Sequence, residues 1–215
     1  MRRVVGVDSS TSACKVEVRD AGSGALIASG RAAHPATYPP RSEQDPGSWE
    51  AAFTAACEQA GVAGGVGVDA LAVAGQHGLV VLDEAGSVLR PAKLWNDTES
   101  AVDAAELVAA IGAESWAATC GSVPVAAFMV SKLKWLKRSE PEVFAQVASV
   151  LLPHDWLTWR LSGRRSTDRG DASGTGYWSP AEGRYRTDLL ALVDDSVDWA
   201  TRLPEVLGPT QAAGE

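Results

Sequence analysis

Several short stretches of this chain carry residue types that can do chemistry. The first is Asp8, followed by the hydroxyl-rich run Ser9-Ser10-Thr11-Ser12 and then Lys15. A carboxylate at a strand tip can hold Mg²⁺, usually through water because that ion keeps its hydration shell. A tight turn with hydroxyls and backbone N–H groups can cradle phosphate oxygens, and a lysine beside it adds a point charge. The same residues are also ordinary turn formers, so both readings stand at this point. The second stretch is Gln76-His77-Gly78. A polar pair flanked by glycines at the exit of a strand lets a ligand approach the backbone, although a histidine bonded inside a turn would look the same.

Two more stretches are weaker. In Leu94-Trp95-Asn96-Asp97 the indole could stack on a sugar face, but Asn96 is also explained as a helix cap. Asp168–Thr175 (DRGDASGT) has neither a GxxxxGK[ST] nor a GxGxxG arrangement, and reads as a structured turn closing against a sheet. Cys14, Cys57 and Cys120 form no CxxC pair, and with only His34, His77 and His154 no zinc spacing arises. Buried free thiols are expected.

The elements that must position these residues follow from pattern. Arg3–Asp8 is a short apolar run, and Cys14–Arg19 alternates Cys14, Val16 and Val18 with Lys15, Glu17 and Arg19, the period of a half-buried strand. A turn at residues 20–24 and a strand over Ala25–Ser29 complete an antiparallel meander. Asp45-Pro46 starts a helix whose face is Trp49, Phe53, Ala56, Cys57 and Ala60. Ala70–Ala74 reads as a buried strand, Leu79–Leu82 as another, and residues 83–86 as a turn. Asn96 with Glu99 predicts a capping box and a helix to Ile111; Phe128–Arg138 is helical, with Lys132, Lys134, Lys137 and Arg138 as its solvated basic end. A second capping box at residues 139–142 opens a helix through Phe144 and Val147, and His154-Asp155 precedes a helix over Trp156–Leu161 that stops at Gly163. The tryptophans fall mainly on helix faces as core residues, and the stretch from Pro204 reads as frayed. The fold class is α/β.

Bulk properties narrow the partners. Hydrophobic residues make up 46% and charged residues 21% of the 215, enough for a core. The net charge of −8 argues against nucleic acid, which needs clustered cations. No stretch is long enough to span a bilayer and the N-terminus has no apolar signal segment, so a soluble cytoplasmic protein is expected.

Taken in order, these pieces resemble the FGGY carbohydrate kinases, and within that family its xylulose-phosphorylating branch. The blocks are VVGVDSSTSACKVEV, SEQDPGSW, AGQHGLVVLD, RPAKLWND, SKLKWLKRSEPEVF, LLPHDWLTWRLSG and TDRGDASGTGYW, spread from Val4 to Trp178. The resemblance implies an actin-like ATPase, ribonuclease-H-like fold, with residues 1–207 as the sugar-binding N-terminal domain and 208–215 as a tail. It implies ATP with Mg²⁺ as phosphoryl donor, a ketopentose such as D-xylulose as acceptor, and a C-terminal nucleotide domain, carrying the general base, as the partner outside this chain. The chain alone would then be inactive. By position, Asp8 matches the family's metal-associated aspartate, Thr11, Ser12 and Lys15 its phosphate loop, and Gln76 and His77 its sugar contacts. Ser10 stands where the family usually has glycine, and Gln76 and His77 are adjacent where the family usually separates them. A kinase for another ketose or polyol, and a non-catalytic sugar-binding half-protein, are the alternative readings. The oligomeric state, homo-oligomer included, is left open.

Overall fold

The computed structural model describes residues 2–214. It divides into two compact units, Met1–Ala36 with Gln44–Gln76, and Thr37–Glu43 with His77–Glu215.

In the first unit β1 (Arg3–Ser9), β2 (Ala13–Asp20) and β3 (Leu26–Ala33) form the expected meander. The two-residue strand β4 (Glu43–Gln44) leads to α1 (Pro46–Gln59) and then to β5 (Ala70–Gly75), which pairs parallel with β1. The sheet order is β3-β2-β1-β5. Asp45 caps α1 by accepting from Gly47 N, as the Asp-Pro pair predicts. Val5, Val7, Cys14, Val16 and Val18 pack on Ala52, Ala56, Cys57 and Ala60. The helix lies so close to β3 that a Cβ at Gly30 would stand 1.9 Å from Ala56 O. One expectation fails here. β5 is a strand but not a buried one, and Leu71 is 41% exposed. It is the edge of its sheet, and its short alanine side chains bury little area.

The second unit is built on β6 (Gly78–Leu82), buried throughout, flanked by β7 (Ala92–Leu94) and β8 (Ser149–Leu151). Leu94 N donates to Ser42 O along the outer side of β7. Helices α2 (Ala101–Ile111), α3 (Ala113–Cys120), α4 (Met129–Ser139), α5 (Pro141–Phe144) and α6 (Pro153–Ser162) follow. Next come β9 (Ser166–Asp168), α7 (Arg169–Ser173), β10 (Trp178–Ser179), β11 (Arg184–Tyr185), α8 (Thr187–Leu190) and β12 (Glu205–Leu207). Leu79, Val81, Leu107, Trp116, Leu133 and Leu136 lie in one core. The three cysteines are buried and free, as expected. Among the described residues no helix is long and apolar enough to cross a membrane.

Four local expectations are corrected in this unit. The Asn96–Glu99 capping box does not form, and α2 begins only at Ala101. The Asp97 carboxylate instead accepts from Ser42 N, Glu99 N and Lys93 Nζ, which holds the segment as a turn. The basic end of α4 is solvated only in part: Lys132 is fully buried, with Nζ 2.7 Å from Ala126 O, while Lys137 and Arg138 are about half exposed and pair with Asp194 and Asp103. Burial pushes the Lys132 ammonium down to about 8. α5 ends at Phe144 with no side-chain cap, and Glu140 pairs with Arg90. The stretch from Pro204, read as frayed, contains β12 paired parallel with β9, an alignment set by non-local hydrogen bonds rather than by composition.

Candidate functional site

In the first unit the β1–β2 register sets Asp8 opposite Lys15, and Lys15 Nζ lies 3.0 Å from Asp8 Oδ2 with both side chains about half exposed (50% and 52%). The loop between them is held by its carbonyls. Ser10 O accepts from the His34 ring Nδ1 at 2.8 Å, Thr11 O from Gln44 Nε2 at 3.0 Å, and Ser12 O from His34 N at 2.9 Å. In a planar trans peptide the N–H points opposite to the carbonyl, so the N–H groups of Thr11 and Ser12 are aimed away from His34 and Gln44. Burial holds the His34 ring below the usual histidine value, which suits a neutral ring donating to a carbonyl. Among the described residues no non-glycine residue has a positive φ, so Ser10 adopts this loop without the strain that a family glycine would otherwise relieve.

Gln76 closes the same unit. Its side chain is buried, and its Nε2 donates to Gln44 Oε1 at 3.3 Å, an oxygen that also accepts from Trp49 Nε1 at 2.7 Å. Gln76 Oε1 is buried and has no partner. Gln44 is therefore the hub that fixes both the Thr11 loop and Gln76. The sequence reading passed over it because a glutamine before a helix cap carries no motif.

His77 begins the long segment of the second unit, and its surroundings come from residues far along the chain. Its Nε2 lies 3.0 Å from Asp171 Oδ1. Asp171 sits on α7, whose N-cap is Asp168, with Asp171 N donating to Asp168 Oδ1 at 3.0 Å. The other Asp171 oxygen lies 3.2 Å from His154 Nε2, which is also 3.1 Å from Asp155 Oδ1 and 3.5 Å from Asp168 Oδ2. His154 and Asp155 are buried, in the first turn of α6. Burial alone would lower the His154 pKa, but the carboxylates of Asp155, Asp168 and Asp171 outweigh it and carry the ring up to about 9. Burial lifts Asp155 to about 6 against the opposing His154 charge, while the His154 hydrogen bond draws Asp168 down to about 2. His154 is thus an imidazolium surrounded by acids.

Asp168–Thr175, expected to be only a structured turn, therefore supplies two carboxylates to this cluster, and His154-Asp155 lies inside its helix rather than before it. The available signal was the pair of aspartates three residues apart in DRGDASGT. Nothing local connects them to His77. Among the described residues two groups have donor atoms close enough to hold a metal, His154 with Asp168 and Asp171, and Glu43 with Asp97 and Glu99. Each already contains a cation, the His154 imidazolium in the first and the Lys93 ammonium in the second. Trp95 is half exposed.

The chain belongs to the FGGY family of carbohydrate kinases: the description of that family's N-terminal domain matches residues 3–215. It is 46% identical over 213 residues to the xylulose kinase of Streptomyces coelicolor, covering 98% of this chain and 44% of that protein. The solved xylulose kinase of Bifidobacterium adolescentis superposes with a TM-score of 0.91 at 41% identity, covering 99% of this chain and 48% of that one. The glycerol kinase of Plasmodium falciparum, at 20% identity and a TM-score of 0.88, shares the fold. The fold is that of the actin-like ATPases, and the chain spans about half the length of the two xylulose kinases just named.

Proposed function

We propose that this chain is the sugar-binding N-terminal domain, residues 1–207, of a cytoplasmic ATP-dependent kinase that phosphorylates D-xylulose at a terminal hydroxyl. The observation that carries the reading is its similarity to xylulose kinases along nearly the whole chain. The nucleotide domain and the general base would be supplied outside residues 1–215, so turnover requires the whole enzyme.

Within this domain, Asp8 fits a water-mediated Mg²⁺, because it is a half-exposed carboxylate of which Oδ2 pairs with Lys15 and Oδ1 has no hydrogen-bond partner among the described residues. When bound, Mg·ATP supplies the phosphoryl group and the charge neutralisation that its transfer needs. Lys15 keeps the Asp8 carboxylate oriented and adds a positive charge near the loop. The hydroxyl-rich loop at Thr11 and Ser12 offers donors suited to phosphate oxygens. Gln76 Oε1 is a buried acceptor awaiting a donor, which a sugar hydroxyl can be, and His77 offers a second polar contact. The adjacency of Gln76 and His77 is accommodated because each is held by its own set of partners.

The test is a phosphorylation screen of the full-length enzyme over xylulose, ribulose and glycerol. Xylulose is expected to have the highest kcat/KM, and a preference for ribulose or glycerol would overturn the substrate assignment. In the same enzyme Asp8→Asn is expected to lower kcat at least about a hundredfold, the scale of losing a preorganised charge contact. Its melting temperature should be unchanged, and near-normal turnover would remove Asp8 from the site.

A further inference from the structure

We infer that the segment Asp168–Gly174 is the positioning element for His77, with Asp171 holding the ring by Nε2 and Gly174 leaving the space that the ring occupies. This rests on the proposed contact between His77 and the sugar.

Three observations carry it. First, Asp171 Oδ1 lies 3.0 Å from His77 Nε2. A carboxylate only accepts, so this nitrogen carries the hydrogen, and in the neutral ring Nδ1 is the acceptor. Nδ1 has no hydrogen-bond partner among the described residues and is not sealed from solvent. It is therefore available to accept from a sugar hydroxyl. Second, Asp171 cannot swing away freely: its other oxygen faces the His154 imidazolium at 3.2 Å, and its own N–H is capped by Asp168 at 3.0 Å. Third, a Cβ placed on Gly174 would stand 2.3 Å from His77 Cε1 and 2.9 Å from His77 Nδ1. The φ of Gly174 is −83°, which any residue adopts, so the glycine serves space and not backbone conformation. Any side chain there would push the imidazole off its seat.

Asp171 and Gly174 are thus positioning residues that act through His77. Asp171→Asn keeps the shape but offers an amide N–H to Nε2, which would move the ring hydrogen to Nδ1 and turn an acceptor into a donor. Gly174→Ala keeps every charge and displaces the ring.

The experiment uses the full-length enzyme with Asp171→Asn, Gly174→Ala and His77→Ala, singly and as the two doubles with His77→Ala. Each positioning variant is expected to raise the xylulose KM roughly tenfold, the scale of one well-made hydrogen bond, with the ATP KM near that of the parent. Both effects should disappear in the His77→Ala background. Histidine ¹⁵N spectra should place the His77 hydrogen on Nε2 in the parent and shift it in Asp171→Asn. The inference is overturned if Gly174→Ala and Asp171→Asn leave the sugar KM unchanged while His77→Ala raises it, or if their effects add fully to that of His77→Ala. If His77→Ala itself leaves KM unchanged, the sugar contact fails instead. The tautomer then decides the positioning claim alone, and an Nδ1–H ring in the parent refutes it.

Discussion

The second unit contains two clusters of charge that look alike in composition and behave differently. In one, Lys93 is fully buried, with Nζ 2.5 Å from Glu99, 3.0 Å from Asp97 and 3.3 Å from Glu43, beneath the Trp135 ring at 3.7 Å. Arg90 joins it through Glu43 and Glu140. In the other, His154 is the cation, and beside the buried Asp155 two of its acids reach the surface: the Asp168 side chain is 59% exposed and the Asp171 side chain 29%. A lysine paired with three acids locks the turn at residues 95–100. A histidine at the same kind of focus titrates, and its acids have a second side free to hold His77. The sealed cluster builds the fold; the open one can serve a site.

Substitutions can break this contrast or sharpen it. The largest expected effect is Asp97→Ala, which leaves Lys93 buried with one anchor fewer and frees two backbone donors. Breaking a buried pair costs about 3–5 kcal/mol, so urea denaturation should show a large fall in midpoint, and a fall below about 1 kcal/mol would contradict the sealed description.

Next is pH. The folded His154 pKa is raised from 6.5 to about 9, so its contribution to stability is fully present below pH 6.5 and lost as pH rises towards 9. Asp155, raised from 3.8 to about 6, adds a loss of the same sign between those values, because ionising it in the interior disfavours the folded state. Asp168, lowered to about 2, acts the opposite way and destabilises only as pH falls below 3.8. Urea midpoints should therefore decline between pH 6.5 and 9 in the parent and less so in His154→Gln. An equal decline in both would place the titration elsewhere. The smallest effect is Lys15→Ala in the first unit. That half-exposed pair contributes at most about 1 kcal/mol, so its loss should appear in turnover of the full-length enzyme and scarcely in melting.

The first unit was largely legible from sequence, and the reason is locality. The two-residue alternation through β2, the turn at residues 20–24 and the Asp45-Pro46 start are each decided by neighbours along the chain. Asp8 and Lys15 follow from the same hairpin, because antiparallel register places them across from one another. Legibility ended where an apolar run had two meanings, as in β5, whose alanines resemble a core strand but lie on an edge. In the second unit local rules misled. Asn96–Glu99 has the spacing of a capping box, yet the stronger partner of Asp97 is a buried ammonium, and charge-assisted bonds outweigh a cap. Lys132 looked like a solvated helix end because charge on a helix usually is.

The sequence alone determined the α/β class, the hairpin that carries Asp8, Thr11, Ser12 and Lys15, the place of Gln76 and His77 after a strand, and the family resemblance, since all of these rest on local period or on ordered motifs. Tertiary structure alone decided the company of His77. Asp171 and Gly174 stand more than ninety residues away from it, and His154 reaches Asp171 only when α6 and α7 are folded beside one another. A carboxylate's partner is set by distance in space, and distance in space between residues so far apart in the chain is fixed by packing, which no local pattern records.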